Sequence, residues 1–244
     1  MTLPRFFAPD LSPDREFFLP ADEAHHLTRV LRARAGDEIA VFDGRGREYR
    51  ARIESAARDR VLLRTLEPLR VPAPPRVAVT LVQAVLKGRS MDDVVRDATM
   101  MGVTSIVPVL TEHTDVKPAV VMREGSLERW ERIALASVKQ CRRATVPAIA
   151  PPRAFSDALA ALNAPVKLLL AEPSLAVHTR SFREAFAGEI PDRVELMIGP
   201  EGGWSPREVD AAVAAGCLPV SLGTFTIRAE SMPVAALGAI LAVS

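Results

Sequence analysis

The chain has 244 residues, 48% hydrophobic and 25% charged, with 31 basic against 30 acidic side chains. This ordinary globular composition argues against a disordered polymer, and the longest apolar run, residues 232–243, is shorter than the ~20 residues a membrane-spanning helix needs. Two cysteines, Cys141 and Cys217, with no CxxC pair and no histidine cluster, argue against a disulfide framework and a metal site; with no signal-like N-terminus they lead us to expect a cytoplasmic protein.

In chain order, residues 22–33 read as a short helix with Leu27, Val30 and Leu31 on one face, closed by a turn at Gly36 and Asp37. His25, Arg29 and Arg32 then form one polar stripe suited to a phosphate backbone. Short β-rich runs at 38–43, 48–54 and 60–67 have the rhythm of a small barrel. In the middle run Tyr49, Ala51 and Ile53 share one face, and Arg50 and Arg52 share the other, either as RNA contacts or as a solvated face. Three prolines within residues 71–76 mark a linker between a domain over 1–70 and one over 77–244.

Beyond the linker strands and helices alternate, with strands expected at 77–84, 104–110, 146–150, 166–171, 194–198 and 218–222. Helices are expected at 91–101, 127–143, 157–162, 180–187, 206–215 and 231–243, the pattern of an α/β domain with a mostly parallel sheet. Ser90 with Asp93, and Ser205 with Glu208, read as capping boxes. Lys139, Arg142 and Arg143 gather at the end of the long helix, either as partners of the helix dipole or as phosphate contacts. Basic residues outnumber acidic ones 12 to 8 over 71–153, whereas acidic ones lead 10 to 6 over 154–244. A nucleic-acid contact is therefore expected on the first two thirds of the chain.

The stretch VELMIGPEGGWS over 194–205 is an apolar strand that breaks into a glycine loop before a well-signalled helix. Adjacent glycines let the backbone approach a ligand closely. One strand later LPVSLGTFTIRAE, over 218–230, supplies a second glycine-marked loop and an Arg-x-Glu ahead of the last helix. Neither GxxxxGK[ST] nor GxGxxG occurs.

With HHLTRVLRARAGDEIAVFDGRG, KGRSMDDVVRDATMMGVTSIVPV and ERWERIALASVKQCRR in the same order, these segments resemble the ribosomal RNA small subunit methyltransferase E family over essentially the whole chain. The resemblance implies a SPOUT-type α/β fold with a C-terminal trefoil knot, preceded by a small PUA-like β-barrel domain. It implies S-adenosylmethionine-dependent methylation of N3 of one uridine in 16S rRNA of the small ribosomal subunit, by a homodimer. By the same resemblance the cofactor is contacted by Leu170, Glu172, Ile198, Gly199, Pro200, Glu201, Gly202, Gly203, Ser221, Leu222, Gly223, Ile227 and Arg228. Arg228 and Glu230 are the catalytic candidates, with capping of the last helix as their bland alternative. Candidate RNA contacts are Arg29, Arg32, Arg50, Arg52, Lys87, Arg89, Lys139, Arg142 and Arg143.

Three departures stand out. Phe225-Thr226-Ile227-Arg228-Ala229-Glu230-Ser231-Met232 replaces an Arg-Ile-Leu-Arg-x-Glu-Thr-Ala run, Met100-Met101 replaces Glu-Leu, and Cys141-Arg142 replaces Ser-Gly. They keep open a different target, such as a ribose 2′-hydroxyl, or a non-catalytic RNA-binding assembly factor.

Overall fold

Period-two alternation at the start of the chain and strand-helix alternation after it build two units in the computed structural model, which describes residues 3–57, 60–121, 125–172, 178–188 and 191–243. One unit comprises Met1–Ala73 with Val138–Val146, the other Pro74–Ser137 with Pro147–Ser244.

The first unit contains β1 (Arg5–Phe7), β2 (Glu16–Phe18), α1 (Ala21–Arg29), β3 (Glu38–Phe42), β4 (Glu48–Ala57) and β5 (Arg60–Pro68). Its sheet runs β1-β3-β4-β5-β2, parallel at β1/β3 and antiparallel elsewhere, with register shifts in the β4/β5 pair that strengthen its twist. Alternation works as expected in β4, where Ala51 and Ile53 are buried with Phe6, Leu27 and Leu63 while Arg52 is exposed. The helix is shorter than its pattern suggests. α1 stops at Arg29, Arg32 lies beyond it at φ 55, and Val30 and Leu31 are exposed, so the buried face is Glu23, Ala24 and Leu27. The expected polar stripe is therefore broken before Arg32. Arg5 holds residues 138–146 in this unit. Its guanidinium donates to the Val138 carbonyl at 2.9 Å and the Arg143 carbonyl at 2.8 Å, pairs with Glu48 at 2.9 Å and lies over the Phe42 ring.

The second unit begins with β6 (Ala78–Ala84), α2 (Ser90–Met100), β7 (Ser105–Leu110), α3 (Pro118–Val121) and α4 (Ser126–Cys141). It continues through β8 (Ala148–Ile149), β9 (Arg153–Ala154), α5 (Phe155–Ala160), β10 (Val166–Leu170), β11 (Arg180–Ser181) and α6 (Phe182–Ala185). It ends with β12 (Arg193–Ile198), α7 (Pro206–Ala214), β13 (Leu218–Ser221) and α8 (Met232–Val243). The sheet order is β11-β13-β10-β12-β6-β7-β8, with β9 also on β7, and every pairing among the described residues is parallel.

Such a sheet is covered on both faces. Val79, Leu81, Leu168, Leu196 and Ile198 face α2, α6 and α8, while Val82, Leu169 and Met197 face α5 and α7. Glu195, a carboxylate in an apolar strand, is buried because it accepts from the Asn163 and Ala164 amides at 3.1 and 3.0 Å. The capping box at Ser205 and Glu208 is present, but the one expected at Ser90 is not. Arg89 is the N-cap of α2, which places Ser90 inside the helix with no side-chain cap. Residues 180–181, expected to be helical, pair as a strand instead, and α4 ends before Arg142, which turns at φ 64.

Candidate functional site

The carboxyl ends of β10, β12 and β13 meet where the chain order of the sheet reverses, the place where open parallel sheets hold ligands. There they enclose a cavity of about 420 Å³. Of the residues expected to contact a cofactor, Leu170, Glu172, Ile198, Gly199, Pro200, Glu201, Gly203, Ser221, Leu222, Gly223, Ile227 and Arg228 line it, and so does Glu230. Sequence reading missed Ser90, Ala171 and Trp204 as lining residues, while Phe225, Thr226, Ala229 and Met232 belong to the 225–232 run it singled out without naming each as a contact. For Trp204 a signal existed: a large aromatic directly after the glycine loop can anchor it, since tryptophan buries a wide apolar ring and brings its N–H to a partner.

That anchor shapes the 199–203 loop. The Trp204 indole N–H donates to the Leu170 carbonyl at 2.9 Å, and its ring packs against Phe155. A Cβ on Gly199 would sit 3.2 Å from the indole, so glycine is needed there to bring the loop down onto the ring. Gly203 has φ 68 and donates its amide to the Pro200 carbonyl at 2.9 Å, closing the turn. Gly202 departs from expectation. It does not line the cavity, and a Cβ there would meet the His113 Cβ at 3.0 Å.

The opposite side of the loop is clamped by residues 111–115. The His113 ring nitrogen Nδ1 lies 3.0 and 3.2 Å from the Gly202 and Gly203 carbonyls, which requires the Nδ1–H tautomer as donor. Glu208 accepts from the Glu112 amide at 2.8 Å and, as capping residue, from the Ser205 amide at 3.0 Å. Glu201 accepts from the Lys87 amide at 3.1 Å.

Arg228 and Glu230 take a position between the two readings given above. The Arg228 carbonyl accepts from the Ser231 and Met232 amides at 3.0 and 3.1 Å, so the backbone starts α8. Its guanidinium is left 87% exposed at the cavity, only 4.0 Å from the half-buried Glu230 carboxylate. A cation this weakly held can move to a substrate oxygen.

The candidate RNA contacts divide by what already holds them. Arg50 pairs with Glu38 and Glu67, Arg52 with Glu38, Lys87 with Asp115 and Lys139 with Glu23. Arg143 is half-buried, donates to Thr145 at 3.1 Å, and has its pKa pushed down by burial. Arg29, Arg32, Arg89 and Arg142 are exposed, with no ion pair among the described residues. Cys217 is buried beside the Met197 sulfur, with a thiol pKa raised by burial to about 11, which leaves it inert. Among the described residues no acidic, histidine or cysteine cluster could hold a metal ion, and no helix is long and apolar enough to cross a membrane.

Two family models match the chain: an RNA methyltransferase domain over residues 73–241 and an RNA methyltransferase PUA domain over 19–66. The ribosomal RNA small subunit methyltransferase E of Synechocystis is 34% identical over 96% of this chain and 75% of its own length. That of Bacillus subtilis is 26% identical over 92% and 89%. Among solved structures, the Neisseria gonorrhoeae methyltransferase E bound to S-adenosylmethionine superposes with a TM-score of 0.86 at 30% identity, covering 98% of this chain and 97% of that one. A Legionella pneumophila protein solved with bound S-adenosylmethionine gives 0.88 at 28%, covering 99% and 98%. The fold is thus a SPOUT-type α/β domain with a PUA-like N-terminal domain. The chain belongs to the ribosomal RNA small subunit methyltransferase E family.

Proposed function

We propose that this protein binds S-adenosylmethionine in the cavity at the ends of β10, β12 and β13 and methylates N3 of a single uridine in 16S rRNA. The observation that carries the reading is the pairing of that cavity with an exposed, weakly held Arg228 at its edge. The cavity's volume falls within the usual range for small-molecule sites, about 300–1,000 Å³. Its walls offer glycine-loop backbone for polar contacts and Leu170, Ile198 and Leu222 for apolar ones, a donor set that fits an adenosine and an amino-acid tail.

When bound, S-adenosylmethionine supplies a methyl group on a cationic sulfonium, to be attacked in line. The chain must do the rest. Uridine N3 carries a proton at neutral pH, so its lone pair becomes available only as that proton leaves and negative charge spreads to O2 and O4. Arg228, loosely held at the cavity edge, moves onto O2 or O4 and supplies the cation for that charge. Glu230, whose carboxylate lies 4.0 Å from the Arg228 guanidinium, either takes the N3 proton or orients Arg228. Leu170, Ile198 and Leu222 keep water from the reacting groups.

RNA contacts fall to exposed basic residues that have no ion pair among the described residues: Arg29, Arg32 and Arg142 in the first unit and, separately, Arg89 in the second. The protein works as a homodimer in the cytoplasm. α8 buries Pro233, Ala236, Leu237 and Ile240 but leaves Val234 and Leu241 exposed, so an apolar face remains for a second copy.

Tritiated methyl transfer to small ribosomal subunits lacking the modification, compared with naked rRNA, tests the reading, with the modified base mapped by the block that N3-methylation puts on reverse transcription. Label on a ribose 2′-hydroxyl would overturn the target. Absence of both cofactor binding and transfer would leave an assembly factor.

A further inference from the structure

Phe225 is 87% exposed at the rim of the cavity, in a loop entered through Gly223 at φ 121 and left through Arg228. Folding gains almost nothing from a phenylalanine placed this way, since its ring stays in water rather than in a core. Other exposed aromatic area is accounted for: the Phe18 ring, for instance, is covered by the Arg60 guanidinium at 4.1 Å. The Phe225 ring has no such partner among the described residues. Its neighbours along the loop are the Thr226 hydroxyl and the Arg228 guanidinium, both at the same cavity. A flat apolar face beside a hydroxyl and an exposed, loosely paired cation matches one chemistry closely: an unpaired nucleobase, with a π-face to stack, polar edges to bond and a phosphate to neutralise.

We infer that Phe225 is a base-stacking residue, which takes an unpaired nucleobase of the RNA substrate onto its ring and holds it at the mouth of the cavity. The inference rests on the RNA methyltransferase reading and deepens it, because a base paired within a duplex could not present N3. It also gives the replacement of an arginine by Phe225 a consequence: the loop here grips the base by its face rather than by charge.

Three substitutions test this. Phe225→Ala and Phe225→Leu should each lower kcat/KM for the RNA by about 5- to 150-fold, the range of one base-stacking contact, with a much smaller change in S-adenosylmethionine affinity because the ring sits exposed at the cavity rim. Phe225→Trp should keep activity, and its emission should be quenched by a single-stranded uridine-containing oligonucleotide. Trp130 and Trp204, buried to 5% and 3% exposure, report little of that contact. Full activity in Phe225→Leu, or an unquenched Phe225→Trp, would overturn the stacking role while leaving the methyl-transfer reading intact. A fall in sedimentation coefficient for Phe225→Ala would also overturn it, assigning the ring to a subunit contact. Quenching in a protein that transfers no methyl group would support stacking and count against the reaction instead.

Discussion

The indole N–H of Trp204 donates to the backbone carbonyl of Leu170 across 2.9 Å, tying the loop after β12 to the end of β10. Both residues line the cavity, so one buried hydrogen bond sets the distance between two of its walls. Trp204→Phe should keep the packing on Phe155 but leave the carbonyl unsatisfied, at a cost of about 1–3 kcal/mol. Cofactor affinity should fall along with stability. Chemical denaturation and calorimetric titration check the two effects, and a folded variant with unchanged affinity would detach this bond from the site.

Arg228→Ala should reduce kcat by about 100-fold or more while S-adenosylmethionine affinity changes little, because a stabiliser of developing charge acts in the transition state. Arg228→Lys should recover part of the loss. Single-turnover methyl transfer distinguishes this from simple loss of RNA affinity.

Asp43 predicts a pH effect in the first unit. Its buried carboxylate accepts from the Arg45 and Arg47 amides at 2.8 and 3.0 Å and from the Arg47 side chain at 2.7 Å. Burial pushes its pKa up, but these hydrogen bonds outweigh burial and leave it below the ordinary carboxylate value of 3.8. With the folded pKa depressed, the stabilisation is complete above that ordinary value and is lost as pH falls through the folded pKa. Asp43→Asn should remove this acid-limb dependence, as followed by unfolding midpoints from pH 5 downward, and should cost about 1–3 kcal/mol near neutrality.

Arg142 and Arg143, adjacent in sequence, should behave differently. Arg142 is exposed, so Arg142→Ala should flatten the salt dependence of RNA binding by about 0.7–0.9 log unit, one phosphate contact, with stability unchanged. Arg143 is half-buried on Thr145, so Arg143→Ala should lower the unfolding midpoint and leave the salt slope alone. Equal slopes for both variants would contradict the division.

Val234→Asp places a charge on the exposed apolar side of α8 without disturbing Ala236 or Ile240 in the core. If that side meets a second copy, sedimentation should show a folded monomer with impaired methyl transfer. A fully active monomer would rule out a shared site.

Local signals in the sequence were enough for the longer strands, though not for β1, β2, β9 or β11, and for the helix beginning at Ser205 and most of the cavity lining. Apolar runs and alternation reflect burial directly, and a Ser-x-x-Glu cap or a glycine turn is decided within a few residues. What depended on partners distant in the chain was decided by the tertiary structure. Ser90 and Asp93 match the capping pattern as well as Ser205 and Glu208 do, yet α2 starts one residue too early for the box to form. Gly202 looks like its neighbours in the loop, but His113, 89 residues away, occupies the space beside it. Arg50, Arg52, Lys87 and Lys139 read as free cations until folding brings Glu38, Glu67, Asp115 and Glu23 against them. A one-dimensional pattern specifies which face a side chain takes; which atom waits on that face is set by how the strands and helices pack.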